Sequence, residues 1–366
     1  MQNIKIIKLN LKHNPYNIYI GNNLLKKIPQ YISKLNLGNH GIIITSRQVG
    51  ILYKDRIKQI FTKNKNYKLI TVVDGEGAKS KQCLLRVIEK IVKIDTLGKR
   101  IFIVCLGGGV VGDLGGFIAS IYKRGIPYIQ IPTTLLSQID SSIGGKTAID
   151  LPQAKNILGS IYQPKAVFID PVFLKTLGSK EIKEGLAEAI KYGVIKDKAF
   201  FNFLKENHKK ILKLDTISIG KLISVCVNIK VKIVAQDEKE KKGIRTILNF
   251  GHSFAHALES ASKYGKITHG KAVSLGMLYT AVLSLLLNKC SLNQASQIPA
   301  IISIFGLSTK IRFNALTLYK ALSYDKKFIS GKIRMVILRE IGKVEVVEGI
   351  SPKIVKNALK KMTRFS

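Results

Sequence analysis

The alternation of short apolar runs with amphipathic segments over the first 178 residues constrains the fold of this chain most strongly. The runs begin at residues 41, 68, 101, 128 and 166 and read GIIIT, KLITVV, IFIVCL, YIQIP and AVFID. Continuous apolar runs between helical segments are typical of parallel strands that are covered by helices on both faces. We therefore predict an α/β domain with a parallel sheet for residues 1–178.

A change in periodicity at Gly178 divides the chain. Before it, residues 4–10 and 16–20 are expected to pair as a hairpin. After it the pattern is helical, and we predict helices over 180–196, 198–212, 215–237, 249–263, 271–288 and 291–305. Residues 334–348 return to strand-like alternation and predict a terminal hairpin. Because 366 residues exceed the usual size of a single core, we predict a second, mainly all-α domain over 179–366.

The net charge of +37 suggests a polyanionic partner such as nucleic acid or an anionic membrane. Its distribution argues against such a partner, because lysine is spread along the whole chain and only ten of the 60 basic residues are arginine. Nucleic-acid-binding proteins interleave arginine with aromatic side chains, whereas this chain has no tryptophan and 7% aromatic residues. We therefore expect no specific nucleic-acid partner.

The cysteines and the apolar stretches indicate the compartment. Cys83, Cys105, Cys226 and Cys290 lie far apart in apolar surroundings without a CxxC pair, as is typical of core residues in a reducing compartment. Charged residues near the N-terminus interrupt the apolar run that a signal peptide requires. The longest apolar stretch, 272–287, is shorter than the roughly 20 residues of a membrane span. We expect a cytoplasmic protein in which this stretch is a buried helix.

Three of the six histidines, His252, His256 and His269, lie within a window of 18 residues. His252 and His256 are four residues apart, so on a helix both imidazoles would project from one face towards a shared ion or ligand. A catalytic zinc usually takes three protein ligands and keeps one position for water or substrate. His269 and a carboxylate elsewhere are therefore candidates for completing a metal site. The alternative is two histidines on a helix surface and one in a loop, without a shared ligand.

The apolar run at 101–106 leads directly into GGGVVGD, residues 107–113, ahead of a helical segment. Glycine in such a turn lets backbone N–H groups approach a pyrophosphate at a helix N-terminus, where the dipole favours anions. The spacing differs from the dinucleotide fingerprint GxGxxG, and a tight structural turn is the alternative explanation. Residues 132–150, PTTLLSQIDSSIGGKTAID, carry hydroxyl groups, an acid and a lysine with little apolar periodicity, and we expect a ligand-binding loop there.

Six motifs, in this order, resemble the 3-dehydroquinate synthase family. They are GGGVVGD, RGIPYIQIPTTLLSQIDSSIGGKTAID, YQP, GLAEAIKYG, LNFGHSFAHALE and HGKAV, within a resemblance that covers residues 74 to 327. The resemblance implies a Rossmann-like NAD-binding domain over 1–178 and a helical domain over 179–366 that binds the metal and the substrate. Some positions differ from the residues usual in the family, namely Ser46, Gly115, Ala154, Ala255 and Lys271.

The resemblance also implies the reaction. Family members convert the sugar-acid phosphate 3-deoxy-D-arabino-heptulosonate 7-phosphate (DAHP) to 3-dehydroquinate and phosphate, in the second step of the shikimate pathway. They use NAD transiently together with Zn²⁺ or Co²⁺. Oxidation of a ring carbinol acidifies the adjacent proton, phosphate leaves, the hydride returns, and ring opening and aldol closure follow. The enzyme's main task is then to hold one conformer of the substrate in place.

Matched motif positions imply the site residues. The metal ligands are Glu188, His252 and His269. Catalytic and substrate contacts fall on cationic and polar residues, namely Arg124, Asp140, Lys146, Asn156, Lys191, Lys230, Arg245, Asn249, His256 and one of Lys326 or Lys327, with Glu240 as a further candidate. The NAD positions are Asp74, Glu76, Lys79, Gly108, Gly109, Val110, Val111, Gly112, Asp113, Thr133, Thr134, Lys146, Lys155, Phe173, Leu174, Lys175 and Thr176.

Residue spacing adds two expectations around the metal ligands. Glu184 shares a helical face with Glu188 and Lys191, and a solvated ion-pair face is the alternative for Glu184. If residues 245–256 are helical throughout, Arg245, Asn249, His252 and His256 share one face, because they are spaced 4, 3 and 4 residues apart.

Two related activities remain as alternatives. A sugar phosphate cyclase that forms an inosose or valiolone ring would recognise a substrate without the carboxylate, and the presence of Arg245, Lys230 and Asn249 favours the carboxylated substrate. A metal-dependent NAD alcohol dehydrogenase would release NADH, and Lys146 and Asn156 argue against it. The resemblance further suggests a homodimer in which Arg124 reaches the neighbour's site.

Overall fold

A sheet of mainly parallel strands organises the N-terminal part of the chain. The structure is a computed structural model that describes residues 4–62, 66–262, 267–310, 313–323 and 333–364. Its strands are Lys5–Leu9 (β1), Tyr16–Ile20 (β2), His40–Ser46 (β3), Tyr67–Val72 (β4), Ile101–Gly107 (β5), Tyr128–Pro132 (β6), Lys146–Leu151 (β7), Ala154–Ile161 (β8), Ala166–Ile169 (β9), Ile333–Glu340 (β10) and Lys343–Ile350 (β11).

Helices cover the sheet and make up most of the chain after Gly178. They are Ile28–Leu35 (α1), Arg47–Leu52 (α2), Lys54–Ile57 (α3), Lys81–Ile94 (α4), Gly109–Ile121 (α5), Ser179–Lys196 (α6), Lys198–Leu212 (α7), Thr216–Gln236 (α8), His252–Ala261 (α9), His269–Leu286 (α10), Leu292–Ile304 (α11), Ala315–Ser323 (α12) and Pro352–Arg364 (α13). Among the described residues, no helix combines the length and apolar character that a membrane crossing requires.

The sheet confirms the α/β prediction. Among the described residues, seven strands are ordered β1-β2-β9-β6-β5-β3-β4, with β1 antiparallel to β2 and the remaining pairs parallel. All five apolar runs become strands of this sheet, and the predicted N-terminal hairpin is β1 with β2. The terminal hairpin is also confirmed, as β10 pairs antiparallel with β11.

Both faces of the sheet are covered, which explains why its strands are apolar along their whole length. Successive side chains of a strand point to opposite faces. Ile42 and Ile103 therefore pack into a cluster with Val87 of α4 and Leu114 of α5. Ile43, the neighbour of Ile42, packs into a second cluster that includes residues of α1. The two clusters position the carboxyl end of β5, where the glycine-rich turn begins.

The segment 132–150 is more regular than the predicted loop. It contains a short helical turn at Ser137–Ser141 and then β7, which pairs antiparallel with β8. The Thr147 hydroxyl donates to the Ser160 carbonyl at 3.1 Å, so hydroxyl side chains serve the hairpin itself. Most of β8 is exposed, so the hairpin lacks the apolar alternation by which a strand is recognised in a sequence.

The chain divides into two compact units. Unit 1 comprises residues 1–177 together with 230–239, and unit 2 comprises 178–229 and 240–366. After Gly178, the predicted helices are present at 179–196, 198–212, 216–236, 269–286 and 292–304, and the third of them passes from unit 2 into unit 1. The prediction for 249–263 is wrong at its start, because Ile244–Asn249 forms a separate short helical turn and α9 begins only at His252. Helix α10 is largely buried, as expected for 272–287.

Candidate active site

Three helices of unit 2 bring one carboxylate and two imidazoles together. Glu188 lies on α6 and is fully buried, His252 is the first residue of α9, and His269 is the first residue of α10. The Nε2 atoms of His252 and His269 lie 3.3 and 3.4 Å from Oε1 of Glu188. One ligand atom from each residue lies within 4.8 Å of the other two.

The protonation states of Glu188 and His252 suit metal coordination, whereas that of His269 does not. Burial alone would raise the pKa of Glu188, but Lys191 and His252 lower it well below its ordinary value. Burial, together with Lys191, lowers the pKa of His252. Glu188 is therefore ionised and His252 neutral at neutral pH, as metal ligands must be. Burial alone would lower the pKa of His269, but Glu188 and Glu259 raise it to about 10, so a metal that binds there must displace a proton.

The donor set of Glu188, His252 and His269 fits a divalent metal ion. Two imidazole nitrogens and one carboxylate are the ligands of a typical catalytic zinc site, which leaves a fourth position for water or substrate. The Nδ1 atoms of both histidines face acceptors, namely the Phe250 carbonyl at 3.2 Å for His252 and Glu259 Oε1 at 3.4 Å for His269. Both rings can therefore offer Nε2 to a metal, because an acceptor at Nδ1 fixes the tautomer.

A glycine contact sets the start of α9. Gly251 has a φ of 77°, in the left-handed region, and its carbonyl oxygen lies 2.0 Å from where a Cβ would stand on Gly276 of α10. Only glycine allows this approach of the two backbones. The turn at Gly251 also separates Arg245 from α9, so the expectation of one continuous helical face from Arg245 to His256 is wrong.

The start of α10 rests on α6. The Gly270 N–H donates to Oε2 of Glu184 at 2.5 Å, so Glu184 caps the helix that His269 begins. A Cβ on Gly270 would lie 2.6 Å from the Cα of Glu184, which shows how closely the two helices pack there. Glu184 is therefore a capping residue rather than part of a solvated ion-pair face. One turn further along α6, Glu188 meets His269, so the same helix contact aligns both ligands.

Sequence reasoning missed one acidic residue of this site and did not predict the role of another. Glu259 was not singled out, although it follows His252 by seven residues and therefore shares its helical face. That spacing was the available signal. Glu184 was singled out by its spacing from Glu188, but its capping role depends on a contact with a residue 86 positions away.

The other predicted residues of unit 2 lie around this cluster or near it in sequence. Lys191 is buried and its Nζ contacts Oε2 of Glu188. The ring of His256 lies 5.6 Å from that of His252, measured between centroids. Arg245 is buried, with Nε 3.3 Å from Oε1 of Glu240. Asn249 ends the helical turn before α9. Lys326 and Lys327 lie outside the described residues.

The glycine-rich turn of unit 1 is a strand-to-helix turn, as predicted. β5 ends at Gly107, Gly108 precedes α5, and α5 begins at Gly109. A Cβ on Gly108 would lie 3.1 Å from Cγ2 of Thr134, and one on Gly109 would lie 2.9 Å from Oγ of Ser141. The N-terminus of α5 therefore begins with two glycines whose backbone N–H groups no Cβ obstructs, an arrangement that can bind an anion. Val110, Val111 and Gly112 form its first turn.

The buried side chain of Lys79 is the centre of a polar network beside this turn. Its Nζ lies 2.8 Å from Oδ2 of Asp113, contacts Oδ1 of Asn156 and lies 3.8 Å from Oε1 of Glu76. Lys155 lies 3.6 Å from the same Glu76 oxygen. Five residues predicted for NAD or substrate are thus linked through Lys79 and Glu76, and Asn156 adopts a left-handed φ of 53° there.

The remaining NAD positions of unit 1 occur at strand ends. Asp74, after β4, accepts a hydrogen bond from the Gln48 N–H at 2.8 Å. The Thr133 N–H donates to the Gly107 carbonyl at 2.9 Å. Phe173, Leu174, Lys175 and Thr176 lie in the short helical turn Pro171–Thr176. The Thr176 hydroxyl lies 2.8 Å from that of Tyr53, a partner that the sequence did not indicate.

The predicted substrate residues of unit 1 differ in their surroundings. Lys230 Nζ donates to the Asp140 carbonyl at 2.6 Å and also contacts its carboxylate, so these two residues are a pair. Lys146, the first residue of β7, is exposed. Arg124 is exposed and has a left-handed φ of 63°.

Comparison with known proteins identifies the family. Family models described as 3-dehydroquinate synthase N-terminal and C-terminal match residues 69–184 and 185–328. A 3-dehydroquinate synthase from Desulforamulus reducens is 40% identical over 94% of this chain and 96% of its own length.

Two solved structures share the fold. One is a 2-epi-5-epi-valiolone synthase from Streptomyces hygroscopicus, solved with NAD⁺ and Zn²⁺, which is 24% identical, with a TM-score of 0.87 over 98% of this chain and 99% of that one. The other is a 2-deoxy-scyllo-inosose synthase with carbaglucose-6-phosphate, NAD⁺ and Co²⁺, also 24% identical, with a TM-score of 0.88 over 98% and 100%. By its family-model matches and its curated relative, this chain belongs to the 3-dehydroquinate synthase family.

Proposed function

We propose that this protein is a 3-dehydroquinate synthase, a lyase that converts DAHP to 3-dehydroquinate and phosphate with NAD and a divalent metal. The observation that carries the proposal is the convergence of Glu188, His252 and His269 in a chain of this family. A binding protein without chemistry has no need of a fully buried carboxylate between two imidazoles.

Glu188, His252 and His269 would hold the metal, for which Zn²⁺ or Co²⁺ is proposed. When bound, the metal supplies a Lewis acid that polarises substrate hydroxyl groups. Lys191 is proposed as a catalytic residue, because its ammonium is buried against Glu188 and can donate to a substrate oxygen at that place. His256, exposed on the same face of α9 as His252, is proposed to contact the substrate phosphate.

NAD is proposed to bind unit 1 with its pyrophosphate at the N-terminus of α5. When bound, NAD supplies reversible hydride transfer. The backbone N–H groups of Gly108, Gly109 and Val110 are free of long side chains and lie at the positive end of a helix of 13 residues. The Lys79 network is proposed to bind the adenosine part, with Asp74, Glu76, Val111, Gly112, Asp113, Thr133, Thr134, Lys146, Lys155, Phe173, Leu174, Lys175 and Thr176 as the further NAD residues.

Recognition of DAHP requires fixed cations for a phosphate and a carboxylate. Two of the proposed cations are held by acids, since Lys230 pairs with Asp140 and Arg245 with Glu240. Such pairs orient a cation before the substrate arrives, which lowers the entropic cost of binding. The other proposed substrate residues are Arg124, Lys146, Asn156, Asn249 and one of Lys326 or Lys327.

A homodimer is proposed, and the surface of the β7–β8 hairpin supports it. Ile157, Leu158 and Ile161 of β8 and Ile121 of α5 are exposed, by 41 to 50% of their surface. Among the described residues β8 pairs with β7 alone, so its other edge is open to a second copy. Ser120, next to Ile121, accepts a hydrogen bond from Ser160 of β8 at 2.8 Å, so β8 lies beside the end of α5 that carries Ile121. A cytoplasmic location is also proposed.

The test is a phosphate-release assay on purified protein with DAHP and catalytic NAD, with and without a chelator. We expect phosphate and 3-dehydroquinate in equal amounts, no accumulation of NADH, and loss of turnover with the chelator that added Zn²⁺ or Co²⁺ restores. Stoichiometric NADH would instead indicate a dehydrogenase. Binding of NAD and metal without turnover of DAHP would indicate a cyclase for another sugar phosphate.

A further inference from the structure

One face of α9 carries three polar side chains, two of which, His252 and Glu259, lie beside His269 at the start of α10. His252, His256 and Glu259 occupy positions i, i+4 and i+7, which lie above one another on a helix. Glu259 is 9% exposed, although a carboxylate of this kind is rarely buried without a partner. Its Oε1 atom lies 3.4 Å from Nδ1 of His269.

The imidazole of His269 therefore stands between two carboxylates. Its Nε2 lies 3.4 Å from Glu188 Oε1, and its Nδ1 lies 3.4 Å from Glu259 Oε1. His252 differs in this respect, because its Nδ1 faces the neutral carbonyl of Phe250 at 3.2 Å. The two histidines of the cluster are thus held by partners of different charge.

We propose that Glu259 is a positioning residue that holds His269 as a metal ligand and contributes a second negative charge to the metal site. This inference rests on the proposed metal site. A carboxylate at Nδ1 fixes the proton on that nitrogen, turns the Nε2 lone pair towards the metal and makes the imidazole a stronger donor. Glu188 and Glu259 together place two carboxylates against His269, which match the charge of a divalent ion.

Metal affinity distinguishes this role from that of a simple structural ion pair. A structural pair between Glu259 and His269 would stabilise the metal-free fold and would compete with metal binding, because it needs a protonated ring. A positioning carboxylate instead strengthens metal binding. The two roles therefore predict opposite changes in metal affinity when the charge of Glu259 is removed.

The experiment compares metal binding by wild type, Glu259→Gln and Glu259→Asp, using purified metal-free protein and a competing chelator of known affinity. We expect Glu259→Gln to bind Zn²⁺ about 10- to 100-fold more weakly than wild type, in the range found for such outer partners of metal ligands. Glu259→Asp keeps the charge and should recover most of the affinity.

The visible absorption of bound Co²⁺ should shift in Glu259→Gln, because the donor strength of one ligand changes. Glu206→Gln, at an exposed site on α7, is the matched control and should leave affinity and spectrum unchanged.

Several outcomes would overturn the inference. Unchanged or tighter Zn²⁺ binding by Glu259→Gln, with an unchanged Co²⁺ spectrum, would show that Glu259 does not act on the metal. His252→Asn separates this result from failure of the metal site itself. If His252→Asn binds Zn²⁺ as tightly as wild type, the proposed site is wrong. If His252→Asn loses Zn²⁺ binding and Glu259→Gln does not, only the role of Glu259 is rejected. If metal-free Glu259→Gln unfolds, Glu259→Asp and Glu259→Asn provide the same comparison at equal side-chain size.

Discussion

Nζ of Lys79 lies 2.8 Å from Oδ2 of Asp113, and this pair joins the segment before α4 to the first turns of α5. Burial alone would lower the pKa of Lys79, but Asp113 raises it above its ordinary value, so the ammonium remains charged. Burial raises the pKa of Asp113, which shows the cost of placing a carboxylate there. The ammonium of Lys79 and the carboxylate of Asp113 therefore each offset the cost of burying the other, beside the turn where NAD is proposed to bind.

Removal of the ammonium should leave Asp113 without its main partner. We expect Lys79→Met to lower the free energy of unfolding by about 3 kcal/mol, as measured by urea denaturation. The double variant Lys79→Met, Asp113→Asn should recover part of this loss, because it removes the uncompensated charge as well. NAD affinity should fall in both variants. Equal stability of the single variant and wild type would contradict the assigned role of the pair.

Asp95 should make the stability of the protein depend on pH in the acid range. It accepts hydrogen bonds from the Tyr122 hydroxyl at 2.7 Å and from Lys123 Nζ at 2.6 Å. Burial alone would raise the pKa of Asp95, but Lys123 and Tyr122 lower it below its ordinary value of 3.8. A lowered pKa in the folded state stabilises the protein above the unfolded pKa, and this stabilisation is lost as the pH falls through the folded pKa.

The corresponding measurement is the free energy of unfolding at several pH values between about 5 and 3. We expect Asp95→Asn to be less stable than wild type by about 1–2 kcal/mol at neutral pH, and the difference should shrink as the pH falls. Asp55→Asn, on the exposed helix α3, should follow the wild-type curve. A difference between wild type and Asp95→Asn that stays constant with pH would rule out the pairing of an ionised Asp95.

Gly276 should tolerate no side chain. An added Cβ would stand 2.0 Å from the Gly251 carbonyl oxygen, so Gly276→Ala must push α10 away from the turn before α9. We expect a loss of about 1–3 kcal/mol in the free energy of unfolding. Zn²⁺ affinity should also fall, because His252 follows Gly251 directly. Gly220→Ala in α8 is the matched control, since a Cβ there meets nothing within 4 Å, and it should stabilise the helix by about 0.5–1 kcal/mol.

Gly115 and Cys105 should be energetically coupled. A Cβ on Gly115 would lie 2.4 Å from Sγ of Cys105, and both residues are buried. We expect Gly115→Ala to destabilise the protein by about 1–3 kcal/mol. The double variant Gly115→Ala, Cys105→Ala should be more stable than Gly115→Ala, because the smaller residue on β5 frees the space. Thermal melting of wild type, Gly115→Ala, Cys105→Ala and the double variant gives the coupling energy, and additive effects would contradict a direct contact.

The architecture was largely predictable because burial on both faces leaves a clear mark on a parallel strand. The apolar runs at 41, 68, 101, 128 and 166 all became strands of the sheet. The β7–β8 hairpin was not predicted, since its exposed side chains follow no apolar alternation. The start of α9 was misplaced because helical periodicity continued across Gly251, and only contact with Gly276 explains why that glycine interrupts the helix.

Some residues of the candidate site could likewise be predicted from the sequence, and others could not. The histidine cluster was visible from spacing, because His252 and His256 are separated by one helical turn. The partnership of Glu188 with these histidines came only from the family resemblance, since it joins residues on different helices. The partners of the ligands, Glu259 and Glu184, depend on how helices pack together. No local pattern in the sequence reports such packing.

Unit 1 is formed by two segments that are distant in sequence, and this affects how it folds during synthesis on the ribosome. Residues 230–239 belong to that unit, and Lys230 reaches Asp140 across 90 residues of chain, while Glu238 accepts from Gln163 across 75. An emerging chain folds from its N-terminus, so the sheet is complete long before these two partners leave the exit tunnel. Nascent unit 1 therefore lacks the contacts of Lys230 with Asp140 and of Glu238 with Gln163 while residues 178–229 of the other unit are translated. A protein truncated after residue 177 would lack these two contacts permanently.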